Sequence, residues 1–255
     1  MNPLLQHLQP YPFERLRQLF AGVTLPSHLR PISLGIGEPR HATPHFLTEQ
    51  LTAHLDGLAS YPATAGSMEL RQACSNWLQR RYGIAVDAAT QILPVNGSRE
   101  ALFSFAQTII DPTQPGATVL CPNPFYQIYE GATLLAGAQP CFVPSDPARN
   151  FAVDWDSVPA DVWAKTQLIY VCSPGNPTGA VMPLDEWQKL FALSDRYGFV
   201  IASDECYSEI YFRDEPPLGG LEAAVKLGRT DYRNIVAFTS LTKLSHIHIR
   251  RCRRS

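Results

Sequence analysis

From about residue 90 onward the sequence predicts an α/β protein: a mostly parallel sheet flanked by helices. Three observations predict it. Short apolar runs alternate with stretches of helical periodicity. Each run is followed closely by a small polar cluster. The composition, 45% hydrophobic and 17% charged, supplies a core and carries no signature of disorder. Right-handed crossovers between parallel strands bring the strand ends to one edge of such a sheet, and open α/β sheets bind their ligands there. The clusters at Gly97, Asn176, Asp204 and Ser240 are therefore expected to converge, although they are far apart in sequence.

The elements follow in order. The first 60 residues are proline-rich, at positions 3, 10, 12, 26, 31, 39 and 44, with short helical hints, and read as an arm that packs elsewhere. Thr90 to Val95 reads as the first strand. After Asn96-Gly97-Ser98, a helix runs through Arg99, Leu102, Phe105, Ala106 and Ile109 at three- and four-residue spacing, and Asp111-Pro112 stops it. Ala117 to Cys121 is a second strand and Gln127 to Leu135 a helix. Leu168 to Cys172 is continuously apolar, as in a strand buried on both faces. Pro183 to Tyr197 is a helix, with Asp185 and Glu186 near its start and Gly198 at its stop. Phe199 to Ala202 and Ile235 to Thr239 complete the strands. There are no repeats and no low-complexity segments.

Composition excludes several function classes. No run of about 18 apolar residues exists to span a membrane, and Met1 to His7 lacks the pattern of a signal peptide. A cytosolic location is the expectation. A net charge of −2 argues against a bulk nucleic-acid role. The six cysteines, at 74, 121, 141, 172, 206 and 252, form no C-x-x-C, so no zinc knuckle or dithiol centre is written and no metal is expected. Cys121 and Cys172 fall in strand-like runs and read as small buried hydrophobes. The histidines, at 7, 28, 41, 45, 54, 246 and 248, leave residues 55 to 245 without an imidazole, which disfavours Ser-His-Asp and Cys-His hydrolases.

The residues with chemistry stand just past the predicted strands. Lys243 follows Ser240-Leu241-Thr242 behind the last apolar run; Asp204 lies behind Phe199 to Ser203; Asn176 sits in Pro174-Gly175-Asn176-Pro177-Thr178-Gly179. Each has a plain alternative: a solvated surface lysine, a helix N-cap, and a loop of turn formers. A carboxylate behind an apolar run is nonetheless costly to bury without a partner. An amine, an isolated carboxylate, Tyr207, an Asn and a Ser on one edge could hold pyridoxal phosphate, the amine condensing with its aldehyde and the carboxylate facing its ring nitrogen. Asn96 to Ala101 reads either as an ordinary βα turn or as a phosphate cup at a helix N-terminus.

Together these segments resemble the fold-type-I aminotransferases, class I/II, across roughly residues 1 to 245. The N-P-T-G loop at Asn176 and the D-E-x-Y segment from Asp204 to Tyr207 carry the resemblance most specifically. It implies that Lys243 condenses with pyridoxal phosphate and then moves the substrate proton, and that Asp204 pairs with the pyridinium nitrogen. Asn176 and Tyr207 would bond the phenolate oxygen. Gly97, Ser98, Arg99, Ser240 and a partner-supplied Tyr61 would hold the phosphate. Tyr126 would stack on the ring, with adjacent Phe125 as the alternative register. Gly35-Ile36-Gly37-Glu38-Pro39 lacks the third glycine of a dinucleotide motif and resembles instead the segment where Gly37 receives the substrate carboxylate. Ser240 to Lys243 is also a literal S-x-x-K, but the accompanying S-D-N and K-T-G motifs are missing.

The resemblance implies a fold-type-I large domain, incomplete and with its C-terminal domain missing. The expected division is an N-terminal arm over 1–45 contributing to a small domain, a cofactor-binding large domain over 46–245, and an aberrant basic tail over 246–255. The tail holds Arg250, Arg251, Arg253 and Arg254 and no acid. Taking those four from the 21 basic side chains leaves 17 against 23 acidic ones, so the tail is foreign to the rest. It departs from the family where an R-S-N-x-P-G-like run is expected, which suggests a truncated or frameshifted reading frame lacking the phosphate-clamp arginine; low activity and marginal stability are expected. Leu8 to Leu16, Ser60 to Gly66 and Cys121 to Gly131 narrow the resemblance to the branch that moves an amino group between glutamate and a succinylated keto-acid of the diaminopimelate and lysine pathway. A homodimer is the family's state. A non-catalytic fragment with a partial pocket and a carbon–sulfur lyase on the same fold are the alternatives.

Overall fold

The structure, a computed structural model, describes residues 2–32, 35 and 42–241. Gly37, Lys243 and the 246–255 tail lie outside the described residues. The helices are α1 (Pro12–Phe20), α2 (His45–Ala53), α3 (Met68–Tyr82), α4 (Ser98–Ile109), α5 (Gln127–Leu135), α6 (Ala160–Trp163), α7 (Leu184–Tyr197) and α8 (Gly220–Lys226). The strands are β1 (Thr118–Asn123), β2 (Gln139–Asp146), β3 (Ala152–Val153), β4 (Thr166–Cys172), β5 (Val200–Asp204) and β6 (Ile235–Phe238). They form one sheet in the order β3-β2-β1-β4-β5-β6. Every pairing is parallel except β2 with β3.

Alternation along the central strands fills both faces. On β4, Leu168 and Tyr170 join one cluster with Leu102 and Ala106 of α4 and Tyr129 and Ala132 of α5. Ile169 and Val171 join the other, with Trp187, Leu190 and Phe191 of α7 and Ala223 and Ala224 of α8. A strand covered by helices on both sides has no solvent face, so it is apolar throughout. Local signals set the element ends: Ser67 accepts from the Leu70 N–H at 3.2 Å to begin α3, and Gly83 (φ 68°) and Gly198 (φ 83°) close α3 and α7 in the left-handed conformation. Cys121 is fully buried and Cys172 partly so, with burial pushing the Cys172 thiol up to about 12.

One expected strand is corrected. Thr90 to Val95 forms no ladder; Leu93 is 66% exposed and Val95 50%. The physical reason is local capture. The Thr90 hydroxyl donates to Asp87 Oδ2 at 2.6 Å, the Ala89 N–H donates to Oδ1 at 2.9 Å, and the Gln91 side chain accepts from the Asp87 N–H at 2.8 Å. A turn built on Asp87 consumes the start of the run, and none of the described strands lies beside the rest. The arm differs from the body: α1 and α2 contain no buried residue.

Candidate active site

The carboxyl ends of β4, β5 and β6 and the start of α4 bring the expected residues together. Asp204 closes β5 in register with Cys172 of β4 and Phe238 of β6, so the loop after Cys172 and Ser240 after Phe238 leave the same edge. Asp204 is 5% exposed. Its Oδ2 accepts the Tyr129 hydroxyl at 2.6 Å and its Oδ1 accepts the Cys206 N–H at 3.3 Å. The second contact is a local turn, from Asp204 to the Cys206 N–H, and no helix follows it before α8. None of the ion pairs among the described residues involves it. A buried carboxylate with no cation among the described residues is a costly arrangement and fits the approach of a cationic ligand atom.

Asn176 Nδ2 lies 3.5 Å from the Tyr207 hydroxyl, so two donors from different loops converge. The N-P-T-G loop is closed on itself: the Gly179 N–H donates to Gly175 O at 2.7 Å, and the Gly175 N–H to Ala180 O at 2.8 Å. Burial raises the Tyr207 phenol above its ordinary value, which keeps it a donor at neutral pH.

At the other side, Gly97 adopts φ 113° ahead of α4 and provides no side-chain cap; a Cβ there would run into Glu100 Oε2. The first-turn N–H groups of a helix have no partners within it, so this end can face an anion. Ser98 is tied to the Asp204 segment, because the Cys206 thiol donates to Ser98 Oγ at 3.3 Å. Arg99 Nε donates to the Tyr126 hydroxyl at 2.9 Å, and this bond raises the guanidinium's affinity for its proton. Phe125, the alternative aromatic, is occupied by stacking on Phe142 at 4.5 Å, and Tyr126 is the one in contact with Arg99. Tyr61 is fully exposed and makes none of the contacts that join the others.

Two neighbours were not legible as site residues. Tyr129, fully buried, stacks on Tyr170 at 4.3 Å and 6° and meets the Tyr126 ring edge-on at 5.8 Å; its place in the first turn of α5, three residues past the N-cap Tyr126, was the available signal. Glu205, 3% exposed, accepts the Ser203 hydroxyl and the Gly220 N–H, each at 2.8 Å. Burial pushes its carboxyl up to about 7. Arg81 is held nearby by Glu209 at 2.6 Å, joining α3 to the segment after β5.

The donor set fits a phosphorylated pyridine aldehyde: a helix N-terminus for the phosphate, paired donors for a ring oxygen, and a buried carboxylate for a ring nitrogen. Comparison with known proteins agrees. The family described as aminotransferase class I and II matches residues 30–244. An LL-diaminopimelate aminotransferase of Nitratidesulfovibrio vulgaris is 36% identical over 217 residues, 84% of this chain and 55% of the relative. One from Aquifex aeolicus is 36% identical over 188 residues, 73% of this chain and 48% of the relative. Among solved structures, an aminotransferase from Neisseria meningitidis superposes with a TM-score of 0.92 at 53% identity, covering 97% of this chain and 63% of that one. The aminotransferase AspB from Helicobacter pylori gives 0.86 at 36% identity, covering 93% and 62%. The chain thus spans about half the length of the curated relatives it matches. With sequence, fold and the chemistry of the sheet edge in agreement, the chain belongs to the class I and II aminotransferases, a pyridoxal-phosphate-dependent family of fold type I.

Proposed function

We propose that this chain carries the cofactor half of an aminotransferase site, with glutamate as amino donor and a keto-acid of the diaminopimelate branch as acceptor. The observation that carries the reading is Asp204: a buried carboxylate with no ion-pair partner among the described residues, Oδ1 lightly engaged, on the same edge as the Asn176–Tyr207 pair. When bound, pyridoxal phosphate supplies an electron sink for the bond that breaks at the substrate's α-carbon.

The chain's own residues do the rest. Asp204 keeps a proton on the ring nitrogen. Asn176 and Tyr207 donate to the ring oxygen and fix the ring's rotation. Tyr126 covers one face of the ring. The first turn of α4, from Gly97 through Ser98 and Arg99, holds the phosphate with Ser240. Lys243 provides the amine that anchors the cofactor and then carries the proton at the α-carbon. Gly37 offers backbone to the substrate carboxylate. Tyr61 completes the phosphate site of a second copy, a role that its full exposure supports. The bare apolar surface of the arm, with Leu19 77% and Ile32 82% exposed, supports a homodimer in the same way.

In domain terms, residues 1–45 act as the arm, 46–245 as the cofactor-binding domain, and 246–255 as a separate basic tail. Within the diaminopimelate branch, the stretches at Leu8 to Leu16, Ser60 to Gly66 and Cys121 to Gly131 favour the N-succinylated keto-acid, whereas the curated relatives carry the LL-diaminopimelate name. No helix among the described residues is long and apolar enough to cross a membrane, and a cytoplasmic location belongs to the same proposal.

The test is to add pyridoxal phosphate to the purified chain, reduce with borohydride and map the labelled peptide, then assay glutamate-dependent transamination with succinylated and free acceptors. Label on Lys243 is expected, with weak turnover that favours the succinylated acceptor. Label elsewhere removes Lys243 from its role. Uptake without turnover marks a non-catalytic fragment, and release of sulfide from sulfur amino acids marks a lyase.

A further inference from the structure

Asp204 offers two oxygens, and the structure treats them differently. Oδ2 takes a short bond from a phenol, 2.6 Å from Tyr129, while Oδ1 takes only the Cys206 N–H at 3.3 Å. A hydrogen bond to a carboxylate is stronger than one between neutral groups, so the phenol sets the plane of the carboxylate and leaves Oδ1 as the oxygen with capacity for a further donor. The phenol itself has little freedom. Its ring is fully buried, lies flat on Tyr170 at 4.3 Å and 6°, and carries the Tyr126 ring edge-on at 5.8 Å. Tyr170 is fixed in turn, because its hydroxyl donates to Leu102 O of α4 at 2.8 Å. One chain of contacts thus runs from α4, whose first turn is the phosphate end, through two stacked tyrosines to the carboxylate.

Resting on the proposed role of Asp204, we infer that Tyr129 is a positioning residue, which orients Asp204 toward the cofactor's ring nitrogen and couples that orientation to α4. Its phenol proton stays in place across the working pH range, since burial first and Asp204 second raise the phenol well above its ordinary value. The hydroxyl therefore acts as a permanent donor and takes no part in proton transfer.

The test is a double-mutant cycle in the full chain: wild type, Tyr129→Phe, Asp204→Asn and the double variant. Phenylalanine keeps the stacked ring and removes only the hydroxyl. Two quantities are read: the affinity for pyridoxal phosphate by absorbance titration, and the ¹⁵N shift of the ring nitrogen in labelled cofactor, which reports its protonation. Tyr129→Phe is expected to weaken affinity by about tenfold, the scale of one hydrogen bond to a charged group, and to move the ¹⁵N shift toward the unprotonated value. In the Asp204→Asn background the same substitution is expected to change neither. Equal losses in both backgrounds would mean the hydroxyl serves only the fold, and would overturn the inference; so would outright unfolding of the cofactor-free Tyr129→Phe chain. If Asp204→Asn changes neither affinity nor shift, the reading of Asp204 fails instead. A wild-type chain that takes up no cofactor removes that reading, and the inference with it.

Discussion

The arm and the sheet body of this chain are made of similar residues and differ in what covers them. In the body, Trp155, Trp187, Tyr129, Tyr170 and Phe199 all lie below 2% exposure. In the arm, α1 carries Phe13, Leu16, Leu19 and Phe20 exposed, and Leu58 and Tyr61 beyond it are among the most exposed side chains. Amphipathic patterning directs an apolar face toward a cover but does not supply one. The body's helices find theirs in the sheet; the arm's first turn, Pro3–His7, touches α5, but α1 and α2 bury no residue among the described ones. Apolar surface on this scale marks an interaction site, in keeping with the proposed second copy.

Mutations in the body and in the arm are expected to differ in cost. Phe199→Ala, which removes a ring stacked on Trp163 at 5.5 Å, is expected to cost about 3–5 kcal/mol in denaturant unfolding; a loss as small as that of an arm variant would mean the body is not the stable unit. Gly220→Ala introduces a Cβ 2.8 Å from both Trp187 and Ile235, and overpacking of that kind is expected to cost about 1–3 kcal/mol. An unchanged melting temperature would show that α8 sits more loosely than described.

Glu205→Gln sharpens the picture of the body's interior. The carboxyl rises from an ordinary 4.5 to about 7 on folding, with burial the first cause. The neutral form's contribution is therefore complete below about 4.5 and lost as pH rises through about 7. Wild type and variant are expected to melt alike at the acid end of this window. The wild type should fall below the variant as pH passes neutrality, and parallel melting curves across the window would refute the assignment. The smallest effect belongs to the arm: Leu19→Ser at low protein concentration is expected within about 0.5 kcal/mol of wild type. A loss comparable to Phe199→Ala would show that the arm is covered.

The legible parts of the fold were those with a strong local signal. The runs at 117–121, 168–172, 199–202 and 235–239 all became strands within a residue or two, because continuous apolar runs between helices have few other places to go. Thr90 to Val95 looked equally good and failed, since Asp87 captures its first residues and no described strand lies beside it. The strand at Gln139–Asp146 was not read, because proline interrupts it twice and its side chains are mostly half-exposed. The helix at Met68–Tyr82 was not read either, with no buried residue to mark a face.

By itself, the sequence determined the class of fold, the strand-then-polar-cluster grammar and the motifs that place Asn176, Asp204 and Tyr207 on one sheet edge, because these rest on local propensity and on the handedness of crossovers. Only the tertiary structure decided which side chains touch: that Tyr126 meets Arg99, that Asn176 meets Tyr207 across two loops, and that a tyrosine in α5 holds the carboxylate at the end of β5. Tyr129 and Asp204 are 75 residues apart in the chain. A contact of that kind follows from how helices settle on the sheet, and no short window of sequence contains it.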